Sequence, residues 1–199
     1  AEESILIFGA LQIDPTNFLK NSLVIENKNQ ETVFYDKAKL VPFGEYLPFI
    51  NLKNYFNISE RSNLFGWGFK RGNGPELLNL PNGLTFVPLI CYEAIFSNFL
   101  KPSAKNADFI LQITNDAWFG KSIGPQQHLA QLRIRAIEYG LPVVRVANTG
   151  ISAIIDANGE VTKKLPVNKS GYLDSFIPAP KHSTIYGLFG DLIFLSLVI

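Results

Sequence analysis

One cysteine, no methionine and two histidines stand among 199 residues, and each shortage removes a class of protein. A single thiol forms no intrachain disulfide, so a disulfide-stapled scaffold is excluded. His128 and His182, with that one cysteine, are too few soft ligands for a zinc site, and no metal is expected. Both histidines read as ordinary residues, His128 in a helix and His182 in a polar connector. Charge is scarce too: charged residues make up 18% of the chain, the net charge is +1 and no Lys/Arg run occurs, which argues against a nucleic-acid partner. No stretch reaches the roughly 20 apolar residues that a bilayer-spanning helix needs. With no methionine at all, Ala1 reads as an internal residue of a longer chain.

What remains is a globular composition. At 47% hydrophobic the chain suits one domain that buries about 70% of its unfolded surface. There is no internal repeat and no low-complexity tract. Hydrophobic patterning predicts strands over residues 4–13, 22–27 and 32–35, then a rigid segment over 37–49 punctuated by Pro42, Gly44 and Pro48. Residues 55–69 mix Tyr55, Phe56, Phe65, Trp67 and Phe69 with asparagine and glycine in no clean period, and read as a mobile, lipid-facing flap. Further strands are expected over 84–90 and 109–113, with a helix from Tyr92 to about Leu100 between them. Gly124-Pro125 opens a helix through about Tyr139, with Leu129, Leu132, Ala136 and Ile137 on one face, and Gly140-Leu-Pro142 closes it. Strands over 142–146 and 151–156 follow, and Asn158-Gly159 signals a two-residue hairpin turn before a strand over 160–165. Such alternation argues a layered α/β domain.

Cys91 lies where the run Leu84-Thr-Phe-Val-Pro-Leu-Ile90 gives way to the helix-like Tyr92-Glu-Ala-Ile-Phe-Ser-Asn-Phe-Leu100. A strand-to-helix corner can lift a nucleophile into a cleft, and a helix N-terminus there would favour the thiolate. The competing reading is a buried structural thiol, since free cysteine packs as a small hydrophobe. Lys37 and Lys39 lead into the stiff segment that also carries Glu45. An amine held near the thiol would stabilise thiolate and oxyanion, and Glu45 would be available as acid, base or anchor. Arg133 and Arg135, on the long helix, suit either a phosphate or a solvated or ion-paired face.

Four blocks in order carry a family resemblance: Asp36-Lys-Ala-Lys-Leu-Val-Pro-Phe-Gly-Glu-Tyr46, Ile90-Cys-Tyr-Glu93, Thr114-Asn-Asp-Ala-Trp-Phe-Gly-Lys-Ser-Ile-Gly-Pro-Gln-Gln-His128 and Arg145-Val-Ala-Asn-Thr-Gly-Ile-Ser-Ala-Ile154. Together they resemble the carbon-nitrogen hydrolase-like domain of the bacterial apolipoprotein N-acyltransferases, a branch of the nitrilase superfamily. The resemblance implies an αββα sandwich, incomplete on its N-terminal side, occupying residues 1–183, with the start of a C-terminal membrane helix over 184–199. It implies a catalytic lysine at Lys37 and a nucleophile at Cys91, with further functional positions at Glu45, Tyr92 and Glu93. The general-base glutamate of the family would fall upstream of Ser4, and Glu2 and Glu3 lack the Trp-Pro that precedes it there, so neither is assigned.

The activity so implied is transfer of a fatty acyl chain from a phospholipid, through a Cys91 thioester, to the N-terminal amine of a diacylglyceryl-modified apolipoprotein. No cofactor is expected. The expected setting is the bacterial inner membrane, with the domain facing the periplasm as a monomer; the 199 residues by themselves should be inert. Glu45 and Glu93 either orient Lys37 or receive protons from the incoming amine, or else support the Cys91 and Pro42–Pro48 loops by hydrogen bonds. Trp118 and Phe119 either line an acyl tunnel or fill core, and Trp67 joins Tyr92 as a candidate substrate contact. Two other readings compete: a soluble nitrilase-type amidase or carbamoylase, and a non-catalytic lipid- or protein-binding relative. The apolar stretch from Ile185 and the aromatic loop favour a lipid donor over a small amide, and the non-catalytic reading would gain if the segment upstream carried no glutamate.

Overall fold

The computed structural model describes residues 4–15, 17–28, 31–46, 68–181 and 184–194. The chain divides into two compact units, Ala1–Gly74 and Pro75–Ile199.

The first unit is built on a three-stranded antiparallel meander: β1 (Leu6–Ile13), β2 (Leu19–Glu26) and β3 (Thr32–Asp36), with β2 in the centre. Its core comes from the apolar run of β2, where Leu23, Val24 and Ile25 are buried with Tyr35 of β3. Beyond β3 the backbone of Lys37 stays tied to the sheet, its N–H donating to the Asn21 carbonyl (2.8 Å) and its carbonyl accepting from Gly72 (2.9 Å). No side chain fits at Gly72, where a Cβ would lie 2.0 Å from the Asp36 carbonyl oxygen.

The second unit holds a six-stranded mixed sheet in the order β4 (Leu78–Asn79), β5 (Thr85–Ile90), β6 (Phe109–Asn115), β7 (Val143–Asn148), β8 (Ser152–Ile155) and β9 (Val161–Leu165). β5, β6 and β7 run parallel, and they are the strands whose apolar runs the sequence shows as near-continuous, as strands covered on both faces should be. Pro88, which has no N–H to give, is tolerated in β5 because β4 pairs only with Thr85 and Phe86. The rings of Phe86 and Phe109 stack at 5.3 Å in the core. Beside the sheet lies α2 (Gly124–Tyr139), following the short α1 (Lys101–Ala104). Pro125 opens α2, and Gly140 closes it in the left-handed region (φ 63), as the sequence predicts. A third short helix, α3 (Ile185–Phe189), is capped by Thr184, whose Oγ1 accepts from Gly187 N–H at 2.9 Å.

Three expectations are corrected. The segment after Cys91 is not a helix but two 3-10 turns, Cys91–Ile95 and Ser97–Phe99, separated by extended dihedrals at Phe96. Side chains from α2 replace the helical amides: Arg135 donates to the Ile95 carbonyl (3.2 Å) and the Tyr139 hydroxyl to the Ser97 carbonyl (2.5 Å). At the β8–β9 hairpin, Asp156 and Glu160 close a loop of residues 157–159, with Gly159 at φ 78 and a register shift at Ile154/Ile155; the Asp156 carboxylate accepts both Asn158 and Glu160 N–H, which holds the extra residue. On α2, Ile137 lies off the core face and is 51% exposed, while Leu129, Leu132 and Ala136 are buried.

Candidate active site

In the first unit Lys37 is 1% exposed, whereas Lys39 is only half-buried. Its ammonium contacts both oxygens of Glu45, at 2.8 and 2.7 Å. Glu45 is itself fixed: Oε2 accepts from Val41 N–H (2.8 Å) and Oε1 from the Asn21 amide (3.2 Å). Phe43 sits at φ 62, and its N–H donates to the Tyr46 carbonyl (2.7 Å), which folds the Pro42–Tyr46 loop under Glu45. Glu45 therefore both pairs with Lys37 and supports its own loop, two roles that were alternatives in sequence terms.

In the second unit Cys91 follows the last residue of β5 and is partly exposed. Its φ of 51 is in the left-handed region, which a side chain such as this adopts at a cost of about 1–2 kcal/mol and keeps only when its surroundings fix it. They fix it from both sides. Glu93, fully buried, accepts the Ile90 N–H (2.8 Å), and the Cys91 carbonyl accepts from the Gln112 amide (3.0 Å) with His128 Nε2 at 3.1 Å. Tyr92 is partly exposed and packs edge-on against Phe96 at 5.1 Å. Cys91 thus stands at a strained strand-to-turn corner, without the long helix that was to favour its thiolate.

Beneath that corner lies a cluster that sequence reasoning missed. Gln112 of β6 and Arg145 of β7 are register partners, buried with Asp116 and His128. Arg145 donates to the Gln112 carbonyl oxygen and, at 2.6 Å, to Asp116 Oδ2. His128 Nδ1 and the Thr114 hydroxyl both lie 3.0 Å from Asp116 Oδ1. Burial alone would push the Asp116 carboxyl up, but the His128 hydrogen bond, the Arg145 charge and the Thr114 hydroxyl together hold it below its usual range. Burial lowers Arg145 from its ordinary value against the pull of Asp116. His128 is therefore no ordinary helix residue. Its position on the face shared by Pro125, Leu129, Leu132 and Ala136 was the available signal, as were Gln112 and Arg145 inside apolar strands.

Trp118 is 82% exposed and Phe119 37%, so Trp118 does not fill core; the Phe119 ring lies against Gly124 and edge-on to His128 at 5.7 Å. Arg135 is buried and paired with Glu138 at 2.7 Å, the ion-paired alternative, while Arg133 is exposed. Trp67, most of the 55–69 flap, His182, Glu2 and Glu3 lie outside the described residues.

Residues 2–180 match the family model described as carbon-nitrogen hydrolase. The chain belongs to that family. The apolipoprotein N-acyltransferase of Rhizobium rhizogenes is 42% identical over 190 residues, covering 92% of this chain and 36% of the relative. That of Rhodopseudomonas palustris is 48% identical over 158 residues, covering 79% of this chain and 29% of the relative. The chain thus spans about a third of the length of the curated relatives it matches. Among solved structures, the NitN amidase of Nesterenkonia superposes with a TM-score of 0.58 at 17% identity over 82% of this chain and 59% of the amidase. A glutamine-dependent NAD+ synthetase from Acinetobacter baumannii gives 0.64 at 20% identity over 84% of this chain and 30% of the synthetase. These likenesses establish a nitrilase-like α/β fold, here with one antiparallel and one mixed sheet.

Proposed function

We propose that this chain is the acyl-transferring domain of an apolipoprotein N-acyltransferase, with Cys91 as the acyl carrier. The observation that carries the reading is Cys91 itself: the one thiol of the chain, partly exposed at φ 51 on the end of a parallel strand, with anchored backbone on both sides. The identity of 41–48% to proteins of that name supports it and speaks against the amidase alternative. In the first step the Cys91 sulfur attacks the ester carbonyl of a phospholipid. A C–S bond forms, the C–O bond breaks, and the thiol proton ends on the departing lysophospholipid hydroxyl. In the second step the N-terminal amine of the diacylglyceryl-modified apolipoprotein attacks the thioester: the C–N bond forms, the C–S bond breaks, and a proton of the amine ends on sulfur. Lys37, its charge held by Glu45, and the backbone amide of Tyr92 stabilise the oxyanion of each step. Glu93 keeps the corner in place, and no residue of the chain is assigned as the base that takes the thiol proton. Trp118, Phe119 and Trp67 meet the acyl chain.

The setting in this proposal is the periplasmic side of the inner membrane, with residues 1–183 as the catalytic domain and 184–199 as the beginning of a membrane helix. Among the described residues no helix is long and apolar enough to cross a bilayer. Exposed Ile185, Leu188, Phe189, Leu192 and Phe194 support an apolar surrounding for that stretch. Incubation of the active protein with phospholipid should leave a hydroxylamine-sensitive acyl adduct on Cys91 by mass spectrometry. Transfer that survives Cys91→Ala would overturn the reading.

A further inference from the structure

Gln112, Asp116, His128 and Arg145 are 0%, 1%, 6% and 1% exposed, a costly set of polar and charged groups to bury unless every one is partnered. Here the hydrogen bonds close. Arg145 Nε donates to the Ile151 carbonyl (2.9 Å), its NH2 to Asp116 Oδ2 and its NH1 to Gln112 Oε1. That last bond decides which way the Gln112 amide faces. Its Nε2 then donates to the Cys91 carbonyl at 3.0 Å, with His128 Nε2 3.1 Å away. His128 Nε2 also lies 3.1 Å from the Cys91 carbonyl, and its Nδ1 lies 3.0 Å from the Asp116 carboxylate.

We propose that this cluster is a positioning device that grips the Cys91 carbonyl and thereby aims the Tyr92 N–H at the oxyanion. The step from one to the other is covalent: the Cys91 carbonyl and the Tyr92 N–H belong to a single planar trans peptide and point in opposite directions, so fixing the oxygen fixes the hydrogen. Tyr92 is the second residue of a 3-10 turn, where N–H groups have no acceptor within the turn. An oxyanion donor acts only when held in place before charge develops, and the left-handed Cys91 would relax without an external grip. None of the four side chains is assigned contact with substrate. The inference rests on the reading of Cys91 as the acyl carrier.

The test separates the thiol from the oxyanion donor. Alkylation of Cys91 by iodoacetamide needs only the sulfur, whereas thioester formation from phospholipid needs both. In the intact active protein, Gln112→Glu keeps the Arg145 pairing but places an oxygen against the Cys91 carbonyl. Arg145→Lys keeps the charge beside Asp116 but frees the Gln112 amide to turn. Each is first checked for a cooperative melt, and a folded variant decides. Thioester formation should fall about 10²-fold in kcat, with KM for the phospholipid and the alkylation rate within about threefold of the parent. Alkylation and thioester formation falling together, or neither falling, would overturn the positioning role, and so would a failure of both variants to fold. Transfer persisting in Cys91→Ala would instead remove the reading on which the inference rests, and the inference with it.

Discussion

At the scale of single residues, burial separates two lysines that the sequence places side by side. Lys37 is enclosed and paired with Glu45 at 2.7 Å, while Lys39 is half-buried. In the proposed mechanism, replacing Lys37 by Met should cost about 10²-fold or more in turnover, because a neutral side chain of similar length would supply no charge to the oxyanion. Lys39→Met should do far less. The first change also leaves the partly buried Glu45 without its cation, at roughly 1–3 kcal/mol, since its Val41 and Asn21 hydrogen bonds remain. Adding Glu45→Gln to Lys37→Met should therefore recover much of the melting temperature and none of the turnover. Equal losses at Lys37 and Lys39 would show that a folding effect had been taken for a catalytic one.

Among elements, the bend between β7 and β8 and the turn after β6 make opposite demands. Gly150 lies where a Cβ would stand 2.2 Å from Asp116 Oδ2 and 2.6 Å from Asp116 Cβ. Asp116 cannot retreat, because Arg145, His128 and Thr114 hold it. Gly150→Ala should destabilise the fold by about 1–3 kcal/mol in denaturant melts, as overpacking of a filled site does. A stability equal to the parent's would mean that the cluster yields more easily than its hydrogen bonds suggest. The 3-10 turn Asp116–Phe119, by contrast, presents Trp118 to solvent at 82% exposure, with Ile123 at 66% beyond it. Trp118→Ser should change stability by less than about 0.5 kcal/mol. It should slow acylation from vesicle-embedded phospholipid more than from a short soluble ester, since the exposed indole would meet lipid; an equal effect on both donors would sink that role.

At the scale of the whole molecule, the cluster should set part of the response to acid. Asp116 is held below its ordinary value of 3.8 in the folded state, so as pH falls the unfolded chain takes up this proton first. Its contribution is fully present above 3.8 and is lost as pH falls through the lower folded value. Asp116→Asn should lower stability at neutral pH by roughly 3–5 kcal/mol, by leaving the buried Arg145 uncompensated, and should flatten the acid limb. Urea melts from neutral pH down past 3.8 read both. An acid limb as steep in the variant as in the parent would mean that other carboxyls set it.

The sequence by itself determined most strands, the whole of α2 and the family, because apolar period, glycine and proline punctuation and motif order are written within short windows. It marked Lys37, Glu45 and Cys91 for the same reason: they sit inside blocks whose residues are contiguous. Only tertiary structure decided the rest. The 3-10 turns after Cys91 depend on Arg135 and Tyr139, some 40 residues away, which take the carbonyls a helix would have used. Gln112, His128 and Arg145 each looked unexceptional in its own element, one polar residue in an apolar strand or on a helix face. Their meaning arises from register and packing, which bring two strands and a helix to one carbonyl, and no local pattern encodes a contact among three separate elements.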